Sequence, residues 1–228
     1  TGSDLSPMRA RLALILASLL GAAHAQPAAA PALPSPPSPP FVNNYPHPPN
    51  ANVLAWQWER LRDGLPKPAP DGGWNLPAVV TDPASLRTPE NNPSVTWIGH
   101  ATWLVQTEGV NILIDPVWAN WLGIVKRVRM PGLAIAELPP IHLVLVTHAH
   151  FDHLHLGSLS KIACGQPIVT PKGVGDLVKN RGFGEIVELA YWEQIACGPL
   201  TITFTPSKHW GARMVHDTHR GFGGYLIR

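Results

Sequence analysis

The chain is poor in cysteine and in charged residues, and both shortages exclude classes of protein. Only two of its 228 residues are cysteines, too few for the disulfide framework of a small secreted domain. Charged residues make up 14% of the chain and the formal net charge is +2. Binding to phosphate backbones requires clustered lysine and arginine. The composition therefore excludes a strongly electrostatic nucleic-acid partner and argues against a nuclease.

The chain also lacks an apolar run long enough to cross a bilayer. The run LALILASLL at residues 12–20 falls far short of the roughly 20 residues that a membrane helix needs. A basic start at Met8 precedes it, and the small-x-small pattern AHA ends at Ala25. This order predicts a signal peptide at residues 8–25, cleaved before Gln26, and export to the periplasm or the medium. We read residues 1–7 as upstream read-through.

Proline is abundant instead, with 26 residues in the chain. Many of them lie in residues 26–50, where proline, alanine and serine dominate. Such a composition favours extended, solvated conformations and cannot bury a core. We expect a disordered tether there, and a folded domain over residues 51–228.

Alternating strands and short helices are predicted within residues 51–228, which indicates an α/β class, or α+β in some schemes. The apolar run at residues 141–147 is typical of a strand buried on both faces. Predicted helices cover residues 52–63, 158–163 and 172–180. In the first of them Leu54, Trp58 and Leu61 are expected to form one apolar stripe. The other predicted strands are SVTWIG, TWLVQTEG, VNILID, PIVT, EIVEL, LTITFTP and GGYLIR.

A cluster of histidines, THAHFDHLH at residues 147–155, directly follows the buried strand. In an extended segment His148 and His150 face the same way, about 7 Å apart, so a slight turn brings both rings onto one ion. Asp152 and His153 are adjacent and suit a second ion. Loops at the carboxyl ends of strands are where α/β proteins place their sites. The pattern H-x-H-x-D-H therefore predicts a metal site rather than a solvated polar loop.

Two further histidines near this pattern are expected to be bystanders. His155 lies outside the spacing, and we place it at the surface or beside the ligands. His142 is predicted to be a core or edge residue of the strand.

The motif resembles that of the metallo-β-lactamase superfamily. The segments WIGHATWLVQTEGVNILIDPVW, LPPIHLVLVTHAHFDHL, ELAYWE and TPSKHWGAR are similar to the branch containing N-acyl-phosphatidylethanolamine-hydrolysing phospholipase D. This resemblance implies an αβ/βα sandwich with two zinc ions. It also implies cleavage of a phosphodiester, although similar members act as lactonases.

The resemblance assigns site residues one by one. It implies that the first zinc is held by three histidines, His148, His150 and His209. The second zinc would be held by Asp152 and His153, with Asp152 also orienting a hydroxide nucleophile made from water on the metal.

The resemblance also suggests roles for three residues around the ligands. Asp115 would accept a hydrogen bond that orients a ligand, or it is simply a turn residue before Pro116. His100 would line the cleft. Trp210 would flank the cleft or belong to the core.

The chain departs from the family pattern after the segment SKHW. The family has a bridging aspartate and one more histidine there, and we expect both beyond residue 228. We do not assign His216 or His219 as their replacements. On this reading the sandwich is truncated in its second half, and the chain by itself is inactive and holds at most one zinc.

These observations predict a zinc-dependent hydrolase acting on a small-molecule or lipid phosphodiester. A lipid substrate would bring the protein into peripheral contact with a membrane. A lactonase or another ester or amide hydrolase of the same fold is the alternative, because the same ligands serve several substrates. A non-enzymatic zinc-binding protein of the cell envelope is a second alternative.

Export would allow Cys164 and Cys197 to form a disulfide. We prefer two separate buried thiols, with Cys164 at the end of a helix and Cys197 at the start of a strand.

Overall fold

The computed structural model describes residues 53–63, 81–87, 93–122, 125–127, 129–214 and 216–228. The predicted signal peptide and tether, residues 8–50, lie outside this part of the chain. Three α-helices are described: α1 at Val53–Asp63, α2 at Leu156–Ile162 and α3 at Gly175–Val178. Short 3-10 helices lie at Ser85–Arg87 and Ile135–Glu137. In these ranges no helix combines the length and apolarity that a membrane crossing needs.

Six strands form the larger sheet, in the order β1-β2-β3-β6-β7-β8. Strands β1 to β3 pair antiparallel, and β3, β6, β7 and β8 are parallel. All three residues of β6 are fully buried, as its continuous apolar sequence predicts. The strands are β1 Ser94–Gly99, β2 Thr102–Thr107, β3 Val110–Ile114, β6 Leu143–Leu145, β7 Ile168–Pro171 and β8 Ile186–Leu189.

A smaller antiparallel sheet packs on one face of the first. It has the order β11-β10-β9, with β9 at Gln194–Cys197, β10 at Leu200–Thr205 and β11 at Gly224–Ile227. Alternate residues of each sheet meet between them, because side chains along a strand point to opposite faces. This core joins Ile112, Leu143 and Leu145 of the larger sheet to Ile202 and Phe204 of the smaller one. A two-stranded ribbon, β4 Trp121–Leu122 with β5 Val125–Lys126, stands apart from both sheets.

The opposite face of the larger sheet is covered by helices. Leu159 and Ile162 of α2 and Val178 of α3 pack there against Leu113 and Val144. The described fold thus has a helix layer, a mixed sheet and a second sheet, and the predicted α/β class is confirmed.

Several element boundaries differ from the sequence-based expectations. The predicted helix at residues 172–180 is a single turn, α3. One side-chain oxygen of Glu188 accepts the N–H groups of Val174 and Gly175 and so caps this turn. The predicted strand at residues 141–147 is only β6, because the N–H of Thr147 is taken by the carboxylate of Asp115.

Two smaller expectations are wrong. Cys197 ends β9 instead of opening a strand, since its partner across the hairpin is Leu200. The predicted helix α1 is present, but Trp58 and Leu61, two members of its expected apolar stripe, are exposed.

Packing between the two sheets should carry much of the stability. Phe204 is fully buried and stacks on Tyr191 with ring centroids 5.6 Å apart. We expect Phe204→Ala to lower the free energy of unfolding by about 3–5 kcal/mol, because it removes apolar contact and leaves a cavity. Urea denaturation measures this. Val95→Ala, at a position 61% exposed, is the control, and an equal loss in both variants would contradict this account of the core.

Candidate metal centre

Three histidine side chains converge just beyond the carboxyl end of β6. Nε2 of His148 lies 2.9 Å from Nδ1 of His150 and 3.0 Å from Nε2 of His209. His148 and His150 come from the loop after β6, and His209 follows β10. The structure thus brings together, from two sheets, the three residues that the sequence predicts for the first metal.

The spacing of these nitrogens fits a shared cation. A neutral imidazole nitrogen carries either one hydrogen or one lone pair, so Nε2 of His148 can pair well with only one of its two neighbours. A metal ion between the rings would use one lone pair from each of them. His148, His150 and His209 are therefore one of two groups of side chains in the described residues with the geometry to hold a metal.

The electrostatics of the group keep two of its rings in the neutral form that binds metals. Burial, followed by the charges that His153, His150 and His209 would carry, lowers the pKa of His148 to about 2. Burial is also the main cause that lowers the pKa of His150 to about 4. Both rings therefore present lone pairs at neutral pH.

The second group contains His100, Asp152 and His153, whose ligand atoms lie within 4.8 Å of one another. Nε2 of His100 is 2.9 Å from Oδ2 of Asp152, and Nε2 of His153 is 3.9 Å from the same oxygen. The sequence predicts Asp152 and His153 here, but it places His100 only along the cleft. His100 enters this group through the β1–β2 turn, and only its place in the segment WIGHAT signalled a role.

Asp115 connects the second group to the sheet. Its carboxylate accepts hydrogen bonds from the N–H and hydroxyl of Thr147, at 2.7 and 2.6 Å, and pairs with Nδ1 of His153 at 2.7 Å. Burial opposes protonation of His153, but the hydrogen bond and charge of Asp115 outweigh it, so the pKa of His153 is raised. Of the two roles considered for Asp115, the geometry favours the acceptor that orients His153.

The remaining histidines stay outside both groups. His155 was expected at the surface or beside the ligands, but it caps α2: its Nδ1 accepts the N–H of Ser158 at 3.0 Å. His216 and His219 are exposed. His142 is exposed just before β6, and its Nδ1 accepts the N–H of Asn111.

Trp210 flanks the cleft. It is 40% exposed, and its ring centroid lies 4.6 Å from that of His150. It is therefore not a core residue.

The two cysteines are separate free thiols, as preferred. The expectation that both are buried is wrong, because Cys164 is exposed and Cys197 is half-buried. Cys164 lies in the loop after α2 and Cys197 ends β9, so the two cysteines are in different layers of the fold.

A cleft of about 650 Å³ opens beside the metal groups. His100, His150 and Asp152 line it together with apolar residues such as Leu122 and Phe151. Its basic side chains are Lys126, Arg127, Arg129 and Arg213.

Two of these side chains donate hydrogen bonds to backbone carbonyls. Arg127 donates to the carbonyls of Ala119 and Val117. Arg213 donates to the carbonyls of Ala149 and Leu154 and so holds in place the loop at residues 147–155, the histidine loop. Lys126 and Arg129 are exposed and are the basic residues best placed to meet a solute entering the cleft.

Comparison with known proteins gives a consistent result. Residues 110–228 match the family described as the beta-lactamase superfamily domain. The chain is 33% identical over 156 residues to N-acyl-phosphatidylethanolamine-hydrolyzing phospholipase D 1 of Caenorhabditis elegans, covering 60% of this chain and 44% of that protein. It is 34% identical over 133 residues to a UPF0173 metal-dependent hydrolase of Methanopyrus kandleri, covering 57% of this chain and 53% of that one.

Among solved structures, the diiron beta-hydroxylase CmlA of Streptomyces venezuelae aligns with a TM-score of 0.46 and 26% identity, over 62% of this chain and 28% of that one. The chain spans less than half the length of the first curated relatives that it matches.

The buried histidines should make the metal-free chain sensitive to acid. Because the folded pKa values of His148 and His150 lie below the usual 6.5, the unfolded state binds more protons below that pH. The contribution of these rings to stability is complete above about pH 6.5 and falls as the pH drops, by up to about 1.4 kcal/mol per pH unit for each ring.

Urea denaturation of the metal-free protein between pH 7.5 and 5 measures this slope. His148→Gln, which cannot titrate, should flatten it. An unchanged slope in that variant would show that His148 is not held neutral in the folded chain.

Proposed function

The chain belongs to the beta-lactamase superfamily, and on that premise we propose that it acts as a zinc-dependent hydrolase that cleaves a phosphodiester. The observation that carries the proposal is the pair of adjacent ligand groups, His148, His150 and His209 beside His100, Asp152 and His153, opening on a cleft with a basic wall. A relative named as a metal-dependent hydrolase supports the general reaction class.

Zinc is proposed because of the donor atoms. The first group offers three imidazole nitrogens, and the second offers nitrogen with one carboxylate. Three protein ligands and an open position are typical of catalytic zinc sites, whereas purely structural sites are closed by four. Nitrogen-rich sites of this kind suit zinc better than calcium or magnesium, which prefer oxygen ligands.

The residues of the chain have distinct tasks in the proposed reaction. When bound, zinc ions would lower the pKa of a water molecule and offset negative charge developing on the substrate. Asp152 is half-buried at the border of cleft and ligand groups, where its carboxylate can accept a hydrogen bond from the attacking water. Trp210 and Phe151 line the cleft beside the ligand groups.

A phosphodiester is favoured over a neutral substrate by the charge of the cleft. Lys126 and Arg129 face the opening in which Asp152 is the acidic lining residue, so the field there attracts an anion. A relative named as an N-acyl-phosphatidylethanolamine-hydrolyzing phospholipase D supports this class of substrate, with a lipid as one member. The apolar residues Leu122 and Phe151 suit an attached acyl or alkyl group.

A lactonase, or another ester or amide hydrolase, is the second candidate. Its support is that the same two ligand groups can activate water against a carbonyl carbon as well as against phosphorus. Turnover of a neutral lactone with no measurable phosphodiester cleavage would decide for this candidate.

Loss of a ligand tests the metal part of the proposal. We expect His148→Ala and His209→Ala each to abolish tight zinc binding at the first group and to remove activity, because each deletes one of three ligands. Metal analysis after dialysis, together with hydrolysis of bis(p-nitrophenyl) phosphate, measures both effects. Turnover by the unsubstituted chain would contradict the sequence-based expectation that the chain by itself is inactive.

His155→Ala is the matched control for these two variants. It should keep its zinc and lose only about 1 kcal/mol of stability as the cap of α2 is removed. Equal zinc contents in His155→Ala and His148→Ala would contradict the ligand assignment.

Charge reversal at the cleft tests the substrate class. We expect Lys126→Glu and Arg129→Glu each to raise KM for the phosphodiester by about 3- to 10-fold at low ionic strength, because each replaces attraction of the anion by repulsion. The effect should shrink with added salt and be absent for a neutral lactone. Lys126→Arg preserves the charge and is the control. The same rise in KM for the neutral lactone would show that these residues do not act through charge.

A further inference from the structure

We propose that His100 is a ligand of the second metal, so that the β1–β2 turn builds this site together with the histidine loop. The inference rests on the proposed function only in requiring that a divalent ion binds there. It differs from two sequence-based expectations, which left Asp152 and His153 as the ligands of this ion within the chain and gave the chain by itself at most one zinc.

The side chains of His100, Asp152 and His153 lie close enough together to share one ion. Nε2 of His100 lies 2.9 Å from Oδ2 of Asp152, and the donor atoms of His100, Asp152 and His153 are all within 4.8 Å of one another. Ligand atoms about 2.0–2.2 Å from a tetrahedral zinc lie roughly 3.4 Å apart. Small side-chain rotations therefore suffice for the three atoms to surround one ion.

The backbone at His100 has an uncommon conformation. His100 has φ of +51° and follows Gly99 at φ of +139°. A non-glycine residue in the left-handed region is uncommon, and such residues cluster at functional sites. The indole N–H of Trp97 donates to the carbonyl of His100 at 2.8 Å, which fixes the turn and aims the imidazole at Asp152.

The same turn also orients His153. Thr102, the fully buried first residue of β2, donates its hydroxyl to the carbonyl of Asp115 at 2.7 Å and accepts the N–H of Val117 at 3.1 Å. These bonds hold Asp115 at φ of +44°. The Asp115 carboxylate in turn pairs with Nδ1 of His153, which leaves Nε2 of His153 for the ion.

The competing explanation is a simple hydrogen bond between His100 and Asp152, with no metal bond. The two explanations differ in which substitutions they tolerate. Glutamine keeps a donor for Asp152 but is a poor zinc ligand. Alanine removes both functions.

Titration of the full, metal-free chain with Co²⁺ tests the inference, with calorimetry giving the affinities and visible absorption reporting coordination. The unsubstituted chain should bind in two steps. In His100→Ala and His100→Gln, the Co²⁺ affinity of the first step should stay within twofold of the unsubstituted value. The Co²⁺ affinity of the second step should fall by about tenfold or more. His216→Ala, which removes an exposed histidine outside both groups, should change neither step. Circular dichroism verifies that each variant is folded.

Several results would overturn the inference. One is a Co²⁺ affinity of the second step in His100→Ala that stays within twofold of the unsubstituted value. Another is a second step that His100→Gln retains and His100→Ala loses, which would show that His100 acts only through its hydrogen bond. Equal weakening of both steps would indicate a general effect on the fold. A chain with one normal step and no second step would refute this inference alone, whereas a chain that binds no ion would refute the proposed function as well.

Discussion

The carboxylate of Asp115 is the contact on which the arrangement of the site depends. It is buried, it follows the end of β3, and it accepts both the N–H and the hydroxyl of Thr147, the first residue of the histidine loop. An unpaired buried carboxylate would be costly, so these bonds tie the loop after β6 to the end of the neighbouring strand. The same carboxylate orients His153. Loop position and ligand orientation thus depend on one side chain.

The fold around this contact serves to bring distant segments to one edge of the sheet. β3 and β6 are parallel, so their carboxyl ends meet there and deliver Asp115 and the histidine loop side by side. The smaller sheet then supplies His209, because the isolated bridge between His148 and Phe222 holds the chain beyond β10 against the loop. Arg213 completes the arrangement by binding two carbonyls of the loop. Two sheets and one buried interface therefore produce three convergent imidazoles.

The two ligand groups differ in charge and in exposure to solvent. In the first group, burial and the neighbouring histidines keep His148 and His150 neutral, so these two rings can bind a cation without first losing protons. The second group combines a carboxylate with histidines at the wall of the cleft, beside the basic residues Lys126 and Arg129. The carboxylate of Asp152 and these basic side chains line the same cleft. Under the proposed function, the basic side chains would attract an anionic substrate toward the metals.

The sequence by itself determined the α/β class, most strands, and the loop that carries His148, His150, Asp152 and His153. Hydrophobic periodicity and ligand spacing are local properties, and each strand or motif is contained in a few consecutive residues. The role of Asp115 stayed undecided at that level, because an aspartate before a proline also suits an ordinary turn. Local patterns placed His155 outside the ligand set but did not indicate that its ring caps the helix that begins directly after it.

Only the tertiary structure decided that His100 stands beside Asp152, 52 residues away along the chain. It likewise decided that Trp210 lines a cleft and that the basic residues of the β4–β5 region face the ligands. These proximities depend on sheet order and on left-handed turns at His100 and Asp115. No local pattern encodes them, because they arise from which strands pair and how the two sheets pack.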